Sequence, residues 1–302
     1  MRLKTTLLLV TLILVISLVI ITGCDSSKSS STTSTTASTI NETDLNEIST
    51  KASTTVTTES ALKTAVANAK AGDIITISGT IKLTSTLQLL ASGTSSSKIN
   101  ISGGTLDCSG TGGWGVKVNG SYWNIQNIHI TKAPSVGICF QIGGYNYVNN
   151  ITTDYCGDSG FQIYNGSHDN NVVNCKSNYN YDSATNGENA DGFACKLSAG
   201  TGNKFTSCSA TYNSDDGWDL YGQPYPVTIT GCTANNNGKG SAGDGNGFKL
   251  GSSGLSVAHV ITNCSASNNS PGWGFTRNGN AKGVIKYSGL TGSGNAAGLS
   301  DL

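Results

Sequence analysis

The chain has 302 residues, of which 12% are charged, and its 18 Lys and Arg balance 18 Asp and Glu to a formal net charge of zero at pH 7. No strong overall field of either sign results, which argues against nucleic acid as a partner. A polyanionic partner must instead be met by a local cation or a few placed Lys and Arg. The nine cysteines form no C-x-x-C pair and no Cys/His cluster of zinc-like spacing, which argues against a thiolate metal site.

Met1-Arg2-Leu3-Lys4 and the apolar run to Ile21 have the charged start and hydrophobic stretch of a signal peptide. The run ends in Ile21-Thr22-Gly23-Cys24, which is similar to a bacterial lipobox. The expectation is a leader over 1–23, lipidation of Cys24 and attachment to the cell surface, with simple secretion or a membrane-spanning anchor as alternatives. Residues 24–53 are dominated by Ser and Thr and read as a disordered tether. A folded domain follows over 54–302, expected to act as a monomer that touches membrane only through the lipid.

Thr58 can cap a helix whose Leu62, Ala65, Val66 and Ala69 fall on one face, with an end near Ala71-Gly72. Strand-like Ile74-Ile75-Thr76-Ile77 follows at once. Such a helix would plug the open N-terminal end of an elongated sheet structure.

Two columns then recur. Gly-aromatic pairs stand at Gly160-Phe161, Gly192-Phe193, Gly217-Trp218, Gly247-Phe248 and Gly274-Phe275. Ile151, Cys175, Cys208, Cys232, Cys264 and Ser288 follow short β-rich runs at intervals of 24, 33, 24, 32 and 24 residues. A period near 24, with two lengthened coils and no amphipathic helix in the repeat, fits an all-β right-handed parallel β-helix, each turn stacking one strand on its predecessor. The cysteines in this column read as small inward-facing apolar residues, so mostly free buried thiols are expected rather than disulfides. Asn180, Asn213, Asn237 and Asn269, five residues past the column, are expected to stack as a structural ladder in turns that tolerate left-handed backbone.

Aligning the coils on the Gly-aromatic pair brings chemistry into register. The residue before Gly is Ser159, Asp191, Asp216, Asn246 and Trp273 in turn. The residue after the aromatic is Gln162, Ala194, Asp219, Lys249 and Thr276. With strands about 4.8 Å apart, Asp191 lies over Asp216 and Asp219 beside Lys249, and Asp215 adds a fourth carboxylate. A single Asp-Gly is usually a turn. Four carboxylates together repel one another and require a cation or raised pKa values. All-oxygen ligands on loops favour calcium over zinc or copper, and suit magnesium less well. Trp218 shares its column with Phe161 and Phe248 and is read as core.

The runs Glu188-Asn189-Ala190-Asp191-Gly192-Phe193, Ser214-Asp215-Asp216-Gly217-Trp218-Asp219 and Asn246-Gly247-Phe248-Lys249-Leu250-Gly251 resemble the family 9 polysaccharide lyases. These are calcium-dependent pectate lyases on a right-handed parallel β-helix. The resemblance is specific over about 185–255, and the repeat extends it through most of the folded region. It implies a Ca2+ site formed by Asp191, Asp215, Asp216 and Asp219, with Lys249 as the catalytic base. Its substrate would be polygalacturonate or pectin. The chemistry is self-consistent: β-elimination removes a weakly acidic C5 proton, and a cation on the neighbouring uronate carboxylate stabilises the enolate that develops. A nearby dication should also lower the Lys249 pKa. Lys196 and Arg277 lie near the same face by register and could bind further uronate carboxylates.

The chain is short for that family, with about one coil after Arg277 and a thin cap over 296–302; a shorter groove is expected. One rival is a polygalacturonase-type hydrolase on the same fold, whose Gly-His-Gly and Arg-Ile-Lys signatures are absent. His129, His168 and His259 also fall outside the acidic motifs, and His259 reads as a coil-edge residue. The other rival is a non-catalytic calcium-stiffened adhesin or glycan-binding β-helix, which has no need of a lysine beside four aspartates.

Overall fold

The computed structural model describes residues 51–302; the expected leader, Cys24 and nearly all of the Ser/Thr tether lie outside the described residues. The chain winds as a parallel β-solenoid with three sheets of ten, eight and nine strands, each coil contributing a strand to each sheet in turn. The first sheet starts at Ser53–Val56 and ends at Lys286–Ser288, the second runs from Thr80–Lys82 to Ser265–Ser267, and the third from Leu87–Leu89 to Gly298–Ser300.

The helix spans Glu59–Ala67 and its Thr58 hydroxyl accepts a 3.2 Å hydrogen bond from the Ala61 amide. Leu62 and Val66 are buried and join the core that runs along the solenoid axis. The helix stops at Asn68, short of the expected Ala71-Gly72. Asp73 closes that connection: its carboxylate accepts from the Lys70 and Ala52 amides at 2.9 Å.

The Gly-aromatic column is the spine of the third sheet. Phe161, Phe193, Trp218, Phe248 and Phe275 pair in register on successive strands, and neighbouring rings stack with centroids 4.6 to 4.8 Å apart. That spacing equals the strand separation, so ring stacking and backbone pairing reinforce each other. Gly217 is required where it stands, because a Cβ there would lie 2.5 Å from the Gly247 carbonyl oxygen of the next coil.

Ile151, Cys175, Cys208, Cys232 and Cys264 are buried, and all eight cysteines among the described residues are free. Ser288 does not continue the column. It pairs with Thr262 and is exposed, and the coil partner of Cys264 is Leu290, which packs against the core. A last coil two residues longer than 24 produced the misalignment.

Asn180, Asn213, Asn237 and Asn269 form the expected ladder, each side-chain amide donating to the next Oδ1 at 2.8 to 3.0 Å, with Asn295 as a fifth rung. The left-handed backbone falls one residue earlier, at Tyr179, Tyr212, Asn236, Asn268 and Gly294. A second ladder joins Asn146, Asn170 and Asn203. His259 occupies the same column two coils on. It is fully buried rather than at a coil edge, and its Nδ1 accepts from the Val227 amide at 3.1 Å. The C-terminal segment is more than a thin cap, since Gly298–Ser300 pairs with Trp273–Thr276 as the last strand of the third sheet.

Candidate active site

The acidic residues gather at one place on the third sheet because the repeat puts them there. Asp191 and Asp216 end the turns that lead into Phe193–Cys195 and Trp218–Asp219, and Asp219 pairs with Lys249 on the adjacent strand. The two lengthened coils place most of their extra residues beside the same spot, in the loops between Asn180 and Phe193 and between Asn237 and Phe248. The loops touch, the Ala242 amide donating to the Asn186 carbonyl at 3.2 Å. They help wall a cleft of about 560 Å3 lined by Asp158, Gln162, Lys196, Asp215, Asp219, Tyr221, Asp244 and Lys249 among others.

Asp191, Asp215 and Asp216 are buried and converge, with one oxygen from each within 4.8 Å of the others. Hydrogen bonds fix their orientation. The Asp191 Oδ2 accepts from the Ser159 hydroxyl at 3.1 Å. The Asp216 Oδ1 accepts from the Asn246 backbone amide at 2.7 Å and from its side chain at 3.0 Å, while the Asp215 Oδ1 accepts from the Asp244 amide at 2.6 Å. The Asp216 Oδ2 is buried with no hydrogen bond, and the Lys249 ammonium stands 3.4 Å away.

Asp219 is connected differently. Its Oδ1 accepts from the Tyr221 amide at 2.8 Å, and its Oδ2 pairs with the Lys196 ammonium at 2.8 Å. Lys196 also pairs with Asp191 at 2.9 Å, so it bridges the fourth carboxylate to the other three. Its side chain is 13% exposed and committed to these two partners. Arg277 is not brought into the cleft: its guanidinium donates to the Asn280 carbonyl at 2.9 Å and its backbone amide to the Asp301 carboxylate at 2.8 Å.

Electrostatics follow from burial. Desolvation pushes Asp191, Asp215 and Asp216 above the usual carboxylate range; neighbouring carboxylates add to the shift, while Lys196 and Lys249 oppose it. Burial works against the charged forms of Lys196 and Lys249, but the surrounding carboxylates outweigh it and hold both ammonium groups firmly protonated. A compact set of buried carboxylate oxygens, one without a hydrogen bond, is the donor chemistry of a hard divalent cation and fits calcium.

Asp244 and Asp158 escape the repeat reading. Asp244 pairs with Lys249 at 2.6 Å from the loop between Asn237 and Phe248, and burial raises the pKa of Asp158 at the other end of the cleft. The available signal for Asp244 was the lengthening of its coil next to an acidic motif.

A family model described as "Pel9A-like, right handed beta helix region" matches residues 43–300. Pectate lyase L of Dickeya dadantii (strain 3937) is 38% identical over 177 residues, covering 57% of this chain and 41% of that protein. Pectate lyase L of Paenibacillus polymyxa (strain SC2) is 37% identical over 193 residues, covering 57% of this chain and 42% of that protein. The chain thus spans less than half the length of these curated relatives. Among solved structures, pectate lyase Pel9A superposes with a TM-score of 0.68 at 32% identity, covering 74% of this chain and 61% of that one. A rhamnogalacturonan lyase superposes with a TM-score of 0.65 at 25% identity, covering 72% and 65%. Solenoid, strand register and family match agree, and the chain belongs to the Pel9A-like right-handed β-helix family.

Proposed function

We propose that the protein is a calcium-dependent pectate lyase that cleaves α-1,4-polygalacturonate by β-elimination. The observation that carries this reading is a lysine, Lys249, at the edge of a buried group of three aspartates and facing an open cleft. Asp191, Asp215 and Asp216, with Asp219 beside them, would hold the ion. Bound calcium would offset their charge, bind the uronate carboxylate and acidify the C5 proton.

Lys249 is the base. With bound calcium offsetting the carboxylates that otherwise hold it protonated, Lys249 would shed its proton to solvent. The neutral Nζ then takes the C5 proton, the C5–H electron pair becomes the C4–C5 double bond, and the C4–O bond breaks with its electron pair on the leaving sugar's oxygen, which takes a proton from water. Asp216 and Asp244 then stabilise the ammonium that forms, since both already lie within ion-pair distance of Nζ. Tyr221, about half exposed and lining the cleft, offers a flat surface to a sugar ring. Lipidation at Cys24 would hold the enzyme at the cell surface, where its polymeric substrate is met.

The test is the identity of the product. Polygalacturonate incubated with the protein and calcium should yield a 4,5-unsaturated non-reducing end, and a chelator should stop it. Reducing ends without unsaturation would establish a hydrolase, and absence of both on every uronan tried would favour a glycan-binding protein.

A further inference from the structure

The outward row that carries Lys249 and Asp219 continues beyond the cleft. Strand register leads from Lys249 through Asp219, Ala194, Gln162 and Cys139 to Lys117. Four strand spacings separate Lys117 from Asp219, or about 19 Å. Ion pairs among the described residues engage Lys63, Lys196, Lys249, His129 and His168, but not Lys117. Its ammonium instead sits 5.1 Å from the centroid of the half-buried Trp114 ring. That contact holds the long side chain in place and pre-positions its charge.

Between Lys117 and Asp219 the row carries no charge: Cys139 and Ala194 are buried and Gln162 is the polar residue between them. Gln162 lines the cleft, and Gln141 hydrogen-bonds to the Tyr164 hydroxyl in the neighbouring outward row. Lys117 is the register partner of Cys139, which places its backbone in this row. Amide and phenol groups on this sheet suit sugar hydroxyls, while a fixed cation beside an indole suits a carboxylate-bearing sugar ring.

We propose that Lys117 and Trp114 form a remote binding station for one uronate unit of a long polyuronate chain lying along the third sheet. The station makes the protein prefer long chains over short ones. This inference rests on the uronan-cleaving reading of the cleft and adds to it where the far end of the substrate is held. A trimer seated around Asp219 and Lys249 does not reach Lys117; an octamer does.

The experiment measures affinity, so that it does not depend on turnover. Full-length protein carrying Lys249→Ala is titrated by calorimetry, in calcium, with a galacturonate trimer and an octamer. Adding Lys117→Ala should weaken octamer binding by about ten-fold, as expected for loss of one charge-assisted contact, and leave trimer binding unchanged. Lys117→Arg should restore the octamer affinity. Equal weakening of both oligomers, no change in either, or failure of the octamer to bind would overturn the station. If the protein without Lys249→Ala forms no unsaturated product while octamer affinity still depends on Lys117, the lyase reading falls and the station stands.

Discussion

Lys249 and Asp219 are register partners on adjacent strands, yet they are not each other's ion pair: Asp219 is held by Lys196 at 2.8 Å, and Lys249 by Asp244 at 2.6 Å. Two lysines therefore divide the acidic group between them, one on either side. Lys196 is locked among carboxylates, whereas the partner nearest Lys249 is a loop aspartate whose side chain is 57% exposed. An exposed partner can move aside for a ligand at little cost, which leaves Lys249 the lysine able to meet a substrate.

Calcium should stabilise the fold through the buried aspartates. At about 100 times its Kd, a ligand bound only by the folded state contributes about 2.7 kcal/mol, seen as a raised Tm. Asp216→Asn should abolish that rise. Because it relieves repulsion among neighbouring carboxylates while Lys249 keeps Asp244 as its partner, the chelated variant should be no less stable than the chelated parent. Thermal unfolding with calcium and with chelator checks this, and an undiminished calcium-dependent rise in the variant would exclude Asp216 as a ligand.

The asparagine ladder should carry stability without touching activity. Asn213 is fully buried, accepts from Asn180 at 2.8 Å and donates to Asn237 at 2.9 Å. Asn213→Leu leaves neighbouring rungs with unsatisfied buried groups and should cost about 2–4 kcal/mol in urea unfolding. A loss below about 0.5 kcal/mol would show the rungs to be independent of one another.

The stacked rings should be equally demanding. Phe193 sits between Phe161 and Trp218 at 4.8 and 4.7 Å, so Phe193→Ala opens a cavity that the rigid coils cannot collapse around. The expected cost is about 3–5 kcal/mol by denaturant titration.

Stability should fall in mild acid because of His259. Burial lowers its pKa from 6.5 to about 4. Between those values the unfolded chain binds the proton and the folded one does not. The contribution is therefore complete above about pH 6.5 and is lost as pH falls towards 4, amounting to roughly 3 kcal/mol. His259→Asn supplies an Oδ1 acceptor in the column where the Asn203 Oδ1 already accepts from the Asn170 amide at 3.1 Å. The variant should fold, and its unfolding free energy should lose this part of the pH dependence. A His259→Asn profile parallel to that of the parent would refute the assignment.

The repeat makes much of this legible in the sequence. A parallel solenoid gives each residue the same environment as its counterpart one coil away, so spacing alone aligned the rings, the thiols, Asp191 with Asp216 and Asp219 with Lys249. The same property explains the failures. Asp244 lies in inserted loop residues that have no counterpart one coil away, and Ser288 was misplaced because the last coil departs from the period. The second ladder was readable, since Asn146, Asn170 and Asn203 repeat the 24 and 33 residue intervals of the cysteine column. Lys196 lines the cleft as register expects, paired there with Asp191 and Asp219, whereas the Arg277 guanidinium turns to the Asn280 carbonyl. Register fixes where a backbone lies, while the direction of a long side chain depends on the groups within its reach.

The most direct measurement is the initial rate of unsaturated product from polygalacturonate, for the parent protein and Lys249→Ala, each with calcium and with chelator. The parent should be active only with calcium, and Lys249→Ala should remain folded but lose on the order of 10²–10⁴-fold in rate. Near-parental turnover by Lys249→Ala, or bond cleavage without an unsaturated product, would contradict a lysine-driven elimination at this site.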